Sequence, residues 1–140
     1  MLTRLDENKA RSMFSATRLA RLGCIVNGEP YVVPINYYFE EGCAYSHSLP
    51  GLKISALREN PRACLQVDEV QSDMSWLSVL AFGNYEEVTD SSERNRILGK
   101  LLKKFPMLTP VETAIAKDGG QPSVIVFRIR IDRVTGVGEE

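Results

Sequence analysis

The chain carries short stretches in which apolar and polar residues alternate in twos. Over 62–67, Ala63, Leu65 and Val67 alternate with Arg62, Cys64 and Gln66. That is the pattern of a half-buried strand. Over 123–134, Phe127, Ile129 and Ile131 alternate with Arg128, Arg130 and Asp132, predicting a final strand. Residues 18–26 and 31–39 read as two strands around Asn27-Gly28. Both turn residues tolerate the positive φ of a tight hairpin. Pro34 interrupts the second strand and cannot donate to a ladder, so this point is expected at a sheet edge or a bulge. Glu41-Gly42 marks another turn, and 43–46 a short third strand. The run 76–88 is almost continuously apolar up to Gly83, which predicts a strand buried on both faces. The polar stretch 68–73 before it reads as a loop.

Helical spacing appears in three places. Residues 6–15 place Ala10, Met13 and Phe14 on one side. Residues 50–58 read as a helix with Pro50 in its first turn, where a missing N–H costs nothing. Asn60-Pro61 ends it, because the residue before proline avoids the helical region. Asp90 and Glu93 form a capping-box pattern ahead of Ile97, Leu98, Leu101, Leu102 and Phe105, and Pro106 stops that helix. A short helix over 110–116 and a loop at 118–120 are also expected. Six strands joined mostly by short turns favour antiparallel pairing. The predicted architecture is a single α+β domain over 1–140, mainly β, a six-stranded antiparallel barrel with helices packed outside.

Composition narrows the function classes. Of the 140 residues, 44% are hydrophobic and 25% charged, with a formal net charge of −1. There is no basic excess to draw the chain to nucleic acid, and the aromatic residues lie in apolar strands rather than between cations. No apolar run reaches bilayer-spanning length, and residues 1–11 lack the apolar stretch of a secretory signal. A cytoplasmic protein with no membrane partner is expected. Cys24, Cys43 and Cys64 stand far apart with no metal-finger spacing, and read as reduced, half-buried thiols. His47 is the lone histidine, so a zinc site built on several histidines is not available.

Two segments carry candidate chemistry. The stretch from Ser46 to Lys53 links a strand end to a helix start. Free N–H groups at a helix N-terminus favour an anion. Ser46, His47 and Ser48 add donors, Lys53 adds a full charge, and Gly51 permits close approach. A phosphate cradle fits these residues. So does a serine-rich cap followed by a solvated lysine, although a lysine early in a helix runs against the macrodipole. The second segment is 31–36, where backbone groups beside Pro34 are open to a ligand edge or belong to a plain edge strand. No nucleophile elbow, Walker or Rossmann glycine pattern is present. Asp68-Glu69 and Glu86-Glu87 are adjacent pairs whose members point to opposite faces of a strand, so they read as solvated surface. Difficult chemistry in such a chain belongs to a cofactor.

A set of segments in order then resembles a known family. They are Arg21 to Cys24, Pro30 to Tyr37, Tyr45 to Ser48, Gly51 with Lys53, Arg58 to Arg62, Trp76 to Val79, and Phe82-Gly83. Together they cover about half the chain and resemble the pyridoxamine 5'-phosphate oxidase-like flavoproteins, in particular the nitroimidazole-resistance branch. The resemblance implies an FMN-binding split barrel that works as a homodimer with FMN at the subunit interface. It places Val33, Pro34, Ile35 and Asn36 along the flavin ring edge, largely through backbone. It places Ser46, His47, Ser48 and Lys53 on the phosphate, Ser78 against the ring from the neighbouring strand, and Trp76 as a wall from the other subunit or else a core or interface anchor. At Leu52 many relatives carry a basic residue, so the phosphate site here has one cation fewer. The tryptophan-and-arginine C-terminal signature of true pyridoxamine-phosphate oxidases is not visible, and pyridoxamine phosphate is not the expected substrate.

The function expected from the resemblance is an FMN-dependent oxidoreductase passing electrons between a small-molecule donor and a small acceptor, such as a nitro compound. Two alternatives remain at this level. One is a non-catalytic flavin carrier or sensor. The other is a haem- or deazaflavin-binding split barrel, in which His47 is the axial ligand available to haem.

Overall fold

A computed structural model describes residues 1–105 and 124–139. Along the chain run β1 (Leu2–Arg4), α1 (Glu7–Ala16), β2 (Leu19–Val26), β3 (Glu29–Asn36), β4 (Tyr38–Glu40) and β5 (Cys43–Ser48). They are followed by α2 (Leu52–Glu59), β6 (Arg62–Ser72), β7 (Ser75–Glu87), α3 (Ser91–Lys104) and β8 (Ile125–Glu139). The helix expected over 110–116 and the loop at 118–120 lie outside the described residues.

The strands form one antiparallel sheet in the order β3-β2-β6-β7-β8-β5-β4, with β1 paired to β8. Among the described residues there are eight strands rather than six, and no ladder closes the sheet. The strand expected over 31–39 is a bent segment in two halves. Its first half, β3, pairs with β2 at one end of the sheet, and its second half, β4, pairs with β5 at the other. The chain itself, turning at Tyr37, joins the two ends where hydrogen bonds do not. β1 is the other unforeseen strand: three exposed residues with no pattern of their own, ordered by pairing with the end of β8.

Local chemistry explains most boundaries. Both hairpin turns use left-handed residues, Asn27 and Gly28 in one and Glu41 and Gly42 in the other. Pro34 sits on β3, which pairs only with β2, so its missing N–H faces no second partner. Asp6 caps α1 by accepting from Lys9 N at 2.8 Å, and Asp90 caps α3 by accepting from Glu93 N at 3.0 Å. The reciprocal half of the capping box does not form, because the Glu93 carboxylate accepts instead from Arg128 Nη1 at 3.1 Å. Pro50 lies outside α2, which begins at Leu52 with Gly51 as its cap. The polar stretch 68–73 is mostly strand, since β6 runs on to Ser72.

The core fills the inside of the curved sheet. Ala20, Leu22, Leu65, Val67, Val79, Ala81, Phe127 and Ile129 face it, with Ala10, Met13 and Phe14 from α1 and Ile54 and Leu57 from α2. A smaller cluster under α3 joins Cys43, Tyr45, Val88, Ile97, Leu101 and Val126. Leu98 and Phe105 pack against it, while Leu102 is 42% exposed, outside the expected apolar stripe. β7 is not buried on both faces. Val79, Ala81 and Tyr85 point inward, and Leu80, between them, is 37% exposed on the outer face.

One bulge sets the inward phase of β8. Phe82 pairs with Arg133 and Gly83 with Ile131, so Asp132 is an extra residue. Phe127, Ile129 and Ile131 point inward before it, and Val134, Gly136 and Gly138 after it. The backbones close so tightly here that a Cβ on Gly83 would lie 2.2 Å from the Arg130 carbonyl oxygen. The sequence pattern predicts a strand end at Val134, and β8 runs on to Glu139. It continues because Gly136 and Gly138 make room for Leu5 and Leu77.

The bend at Tyr37 interrupts the strand and is held by several hydrogen bonds. Its ring is fully buried, its hydroxyl donates to the Phe14 carbonyl at 2.8 Å, and it shares a hydrogen bond with Thr17 Oγ1. Replacing Tyr37 by Phe keeps the packing and removes both bonds. Loss of about 1–3 kcal/mol is expected, read as a lower urea midpoint at unchanged slope.

Candidate functional site

The bend brings the end of β3 to the end of β5. Tyr38 pairs with Tyr45, and just beyond that pair Ser46 Oγ donates to the Asn36 carbonyl at 2.7 Å. Ser46 is buried, with its proton committed to this bond. Val33 packs against the core and Ile35 is inside it, so their side chains are turned away from the outer surface. Pro34 and Asn36 face outward. His47 is half-buried opposite Val126 in the ladder with β8, and its Nδ1 atom is buried. The Ser48 hydroxyl donates to the Leu49 carbonyl at 2.9 Å. Three residues later α2 begins.

The start of α2 differs from the other two helix starts in a way that favours an anion. α1 and α3 are each capped by an aspartate and carry a glutamate in the first turn, Glu7 and Glu93. α2 has Gly51 at its cap, no side-chain cap bond, and no acidic residue in the first turn. No side chain caps the first turn of α2 in the way that Asp6 and Asp90 cap the other two helices. Lys53 stands in that turn, half-buried, and Leu52 beside it is 55% exposed. An incoming phosphate would meet N–H donors, the positive end of a helix and a lysine. The residues present fit such a group.

Ser78 belongs to a different part of the surface. It lies on the outer face of β7, and β2 and β6 separate β7 from β3. Three strand spacings amount to roughly 14 Å, so Ser78 does not touch the Asn36–Ser46 corner. It belongs instead to a polar row that the sequence reading missed. Arg21 Nη1 donates to Gln66 Oε1 at 3.2 Å and to Asp68 Oδ2 at 3.3 Å. Gln66 Nε2 donates to Asp68 Oδ2 at 3.0 Å and to Ser78 Oγ at 3.1 Å. Asp68 thus joins a network across β2, β6 and β7 and is not simply solvated. The signal in the sequence was the outward phase of Gln66. Joining it to Arg21 and Ser78 required the register of three strands.

Around this row the outer face is apolar. Leu19, Ile25, Val32, Leu80 and Val137 are exposed. Beside them a groove is lined by Gly23, Pro30, Tyr31, Cys64 and Phe82, with Arg62 at its rim. Cys24 also borders it; burial, and then the neighbouring Cys64, push its thiol pKa up. All three cysteines are free thiols. Trp76 stands near the opposite end of β7, paired with Glu139, in a polar hollow with Glu69 and Gln71. No described helix is long and apolar enough to cross a membrane.

Comparison with known proteins places these features. Residues 6–137 match the family model for pyridoxamine 5'-phosphate oxidase. An uncharacterised protein of Rhizobium meliloti is 34% identical over 94% of this chain and 91% of its own length. Among solved structures, an FAD-binding protein from Mesorhizobium loti is 31% identical, with TM-score 0.79 over 100% of this chain and 98% of that one. A Bacteroides thetaiotaomicron protein named for 5-nitroimidazole antibiotic resistance has TM-score 0.73 at 23% identity, covering 99% of this chain and 89% of that one.

The Ser46–Asn36 bond holds the two segments of the candidate site together. Replacing Ser46 by Ala leaves the Asn36 carbonyl at the end of β3 without this donor. A loss of about 1–3 kcal/mol is expected by urea unfolding. Faster amide exchange at Asn36 and Tyr37 than at Cys24 is expected with it.

Proposed function

Because the chain belongs to the pyridoxamine 5'-phosphate oxidase family, we propose that it binds a flavin nucleotide and passes electrons from a small-molecule donor to a small acceptor. The observation that carries this reading is the uncapped, lysine-bearing start of α2, three residues after a strand, β5, whose Ser46 is hydrogen-bonded to Asn36 at the end of β3. An anionic tail at the start of α2 and a flat ring along the end of β3 match a flavin nucleotide. The relative from Mesorhizobium loti, named an FAD-binding protein, supports the same class of ligand. When bound, a flavin supplies transfer of electrons singly or as hydride.

The chain's own residues do the holding. The first N–H groups of α2, His47, Ser48 and Lys53 bind phosphate. Ser46 keeps the β3 end in place. The backbone from Val33 to Asn36 borders the ring, and Ser78 meets it from the outer face of the sheet. FMN is the form proposed, with a single phosphate for a single helix start. The exposed apolar residues of the outer face support a homodimer in which a second copy covers that face and the ring, and excludes water from it.

An absorbance spectrum of the purified protein, with and without added FMN, tests the reading. The visible bands of oxidised flavin support it, and chromatography of the released cofactor separates FMN from FAD. Bleaching by a nicotinamide donor, with turnover of a nitro or quinone acceptor, distinguishes an oxidoreductase from a flavin carrier. A Soret band moves the reading to haem, and a protein that ignores FMN ends it. Replacing Lys53 by Met is expected to weaken FMN binding about tenfold or more, the scale of a lost charged hydrogen bond. Riboflavin, which lacks the phosphate, is expected to bind both forms alike. Equal losses for both ligands would remove Lys53 from the phosphate site.

A further inference from the structure

The polar row on the outer face settles the direction of its own hydrogen bonds. Arg21 carries only donors and the Asp68 carboxylate only acceptors. Gln66 lies between them, with Oε1 toward Arg21 at 3.2 Å and Nε2 toward Asp68 at 3.0 Å. The amide cannot be turned around without setting N–H against N–H and oxygen against oxygen. One hydrogen of Nε2 goes to Asp68, and the other reaches Ser78 Oγ at 3.1 Å. The Ser78 oxygen is therefore an acceptor toward Gln66, and its own proton is left to donate elsewhere. Asp68 stands directly opposite Ser78 across the ladder, yet its Oδ2 already receives Arg21 and Gln66.

We propose that Gln66 is a positioning residue that fixes Ser78 as a hydrogen-bond donor toward an acceptor atom of the bound flavin ring. The proposal rests on the flavin reading and goes beyond it, because it assigns one residue the polarity of another. Without Gln66 the serine hydroxyl is free to turn and accept. With Gln66 in place it presents a proton. Reduction adds electron density to the acceptor atoms of the ring, and a hydrogen bond to a charged acceptor is about twice as strong as one to a neutral acceptor. The pair therefore favours reduced flavin over oxidised flavin.

The test uses the full chain and FMN. Affinity is read by titrating the apoprotein and following flavin fluorescence, and the midpoint potential of the bound flavin is read by spectroelectrochemistry. The variants are Ser78→Ala, Ser78→Thr, Gln66→Leu and the double change of Ser78→Ala with Gln66→Leu. Both side chains lie on the outer face, so the core is left intact. Ser78→Ala is expected to weaken FMN about two- to tenfold, the range of a neutral hydrogen bond, and to move the midpoint to more negative potential. Ser78→Thr, which keeps the hydroxyl, is expected to match the wild type in both readouts. Gln66→Leu is expected to shift both in the direction of Ser78→Ala, and to add nothing when Ser78 is already Ala. Wild-type values in Gln66→Leu, or shifts that add in the double variant, would overturn the positioning role and leave the flavin reading standing. A wild-type protein that binds no flavin would overturn both.

Discussion

The fold turns on the corner at Tyr37, because it is where a single strand segment changes from one end of the sheet to the other. Every polar group of that residue is used. Its N–H donates to Arg18 at 3.3 Å, its carbonyl accepts from Lys104 Nζ at 3.0 Å, and its hydroxyl binds the end of α1. The Lys104 ammonium also lies 5.3 Å from the ring centroid, and the Phe14 ring meets it edge-on at 6.3 Å. Burial, with Arg18 nearby, pushes the Lys104 pKa down. The end of α1, the start of β2 and the end of α3 thus converge on one buried tyrosine. A sheet whose terminal strands do not pair needs such a joint. Without it β3 and β4 are free to separate, and Asn36 loses its place beside Ser46.

The second constraint is the bulge at Asp132, which divides inward from outward along β8. Before it, the arginines of β8 point outward; Arg128 and Arg130 hold Glu86 between them and draw its carboxyl pKa below the usual range, Arg130 first. After it, the outward row becomes Arg133, Thr135 and Val137, against the apolar part of β7. One inserted residue therefore separates a charged half of the outer face from an apolar half that carries the row from Arg21 to Ser78. The charged half is stabilised by pairing within the chain. The apolar half is not covered by any described element.

Much of this was legible in the sequence, and the failures have physical causes. Asn27-Gly28, Glu41-Gly42 and Asp90 act through the residues next to them, so their roles follow from chain order alone; Asp6, read as the first helical residue, is instead the cap of α1. The core phase of β6 and of the first half of β8 followed from alternation. Missed features depended on partners distant in sequence. β1 exists only against β8. Glu93 prefers an arginine 35 residues away to its own helix end. The apolar run of β7 reads as buried on both faces because sequence does not distinguish a core face from an outer face left open. The candidate site divides in the same way. The stretch from Ser46 to Lys53 is contiguous and was visible as a donor-rich strand-to-helix link. Gln66 was seen only as an outward position, since its meaning lies in the register that sets it between Arg21, Asp68 and Ser78.

The two parts of the site also constrain the shape of what they hold. The donors of α2 gather at a point, whereas Asn36 and Ser78 lie on strands separated by two others. A compact anion would satisfy α2 and leave the polar row idle. A flat neutral molecule would use the row and make no use of the positive end of α2. An elongated ligand with an anionic end and a flat, polar-edged end uses both without asking any buried charge to go unpaired. Leu52, beside Lys53, adds no charge at the start of α2, so on the proposed reading the balance would depend more on the ring end. With fewer charges to hold a phosphate, more of the affinity proposed for FMN would come from the outer face. There a fixed hydrogen-bond donor surrounded by apolar side chains is worth more than the same donor in water.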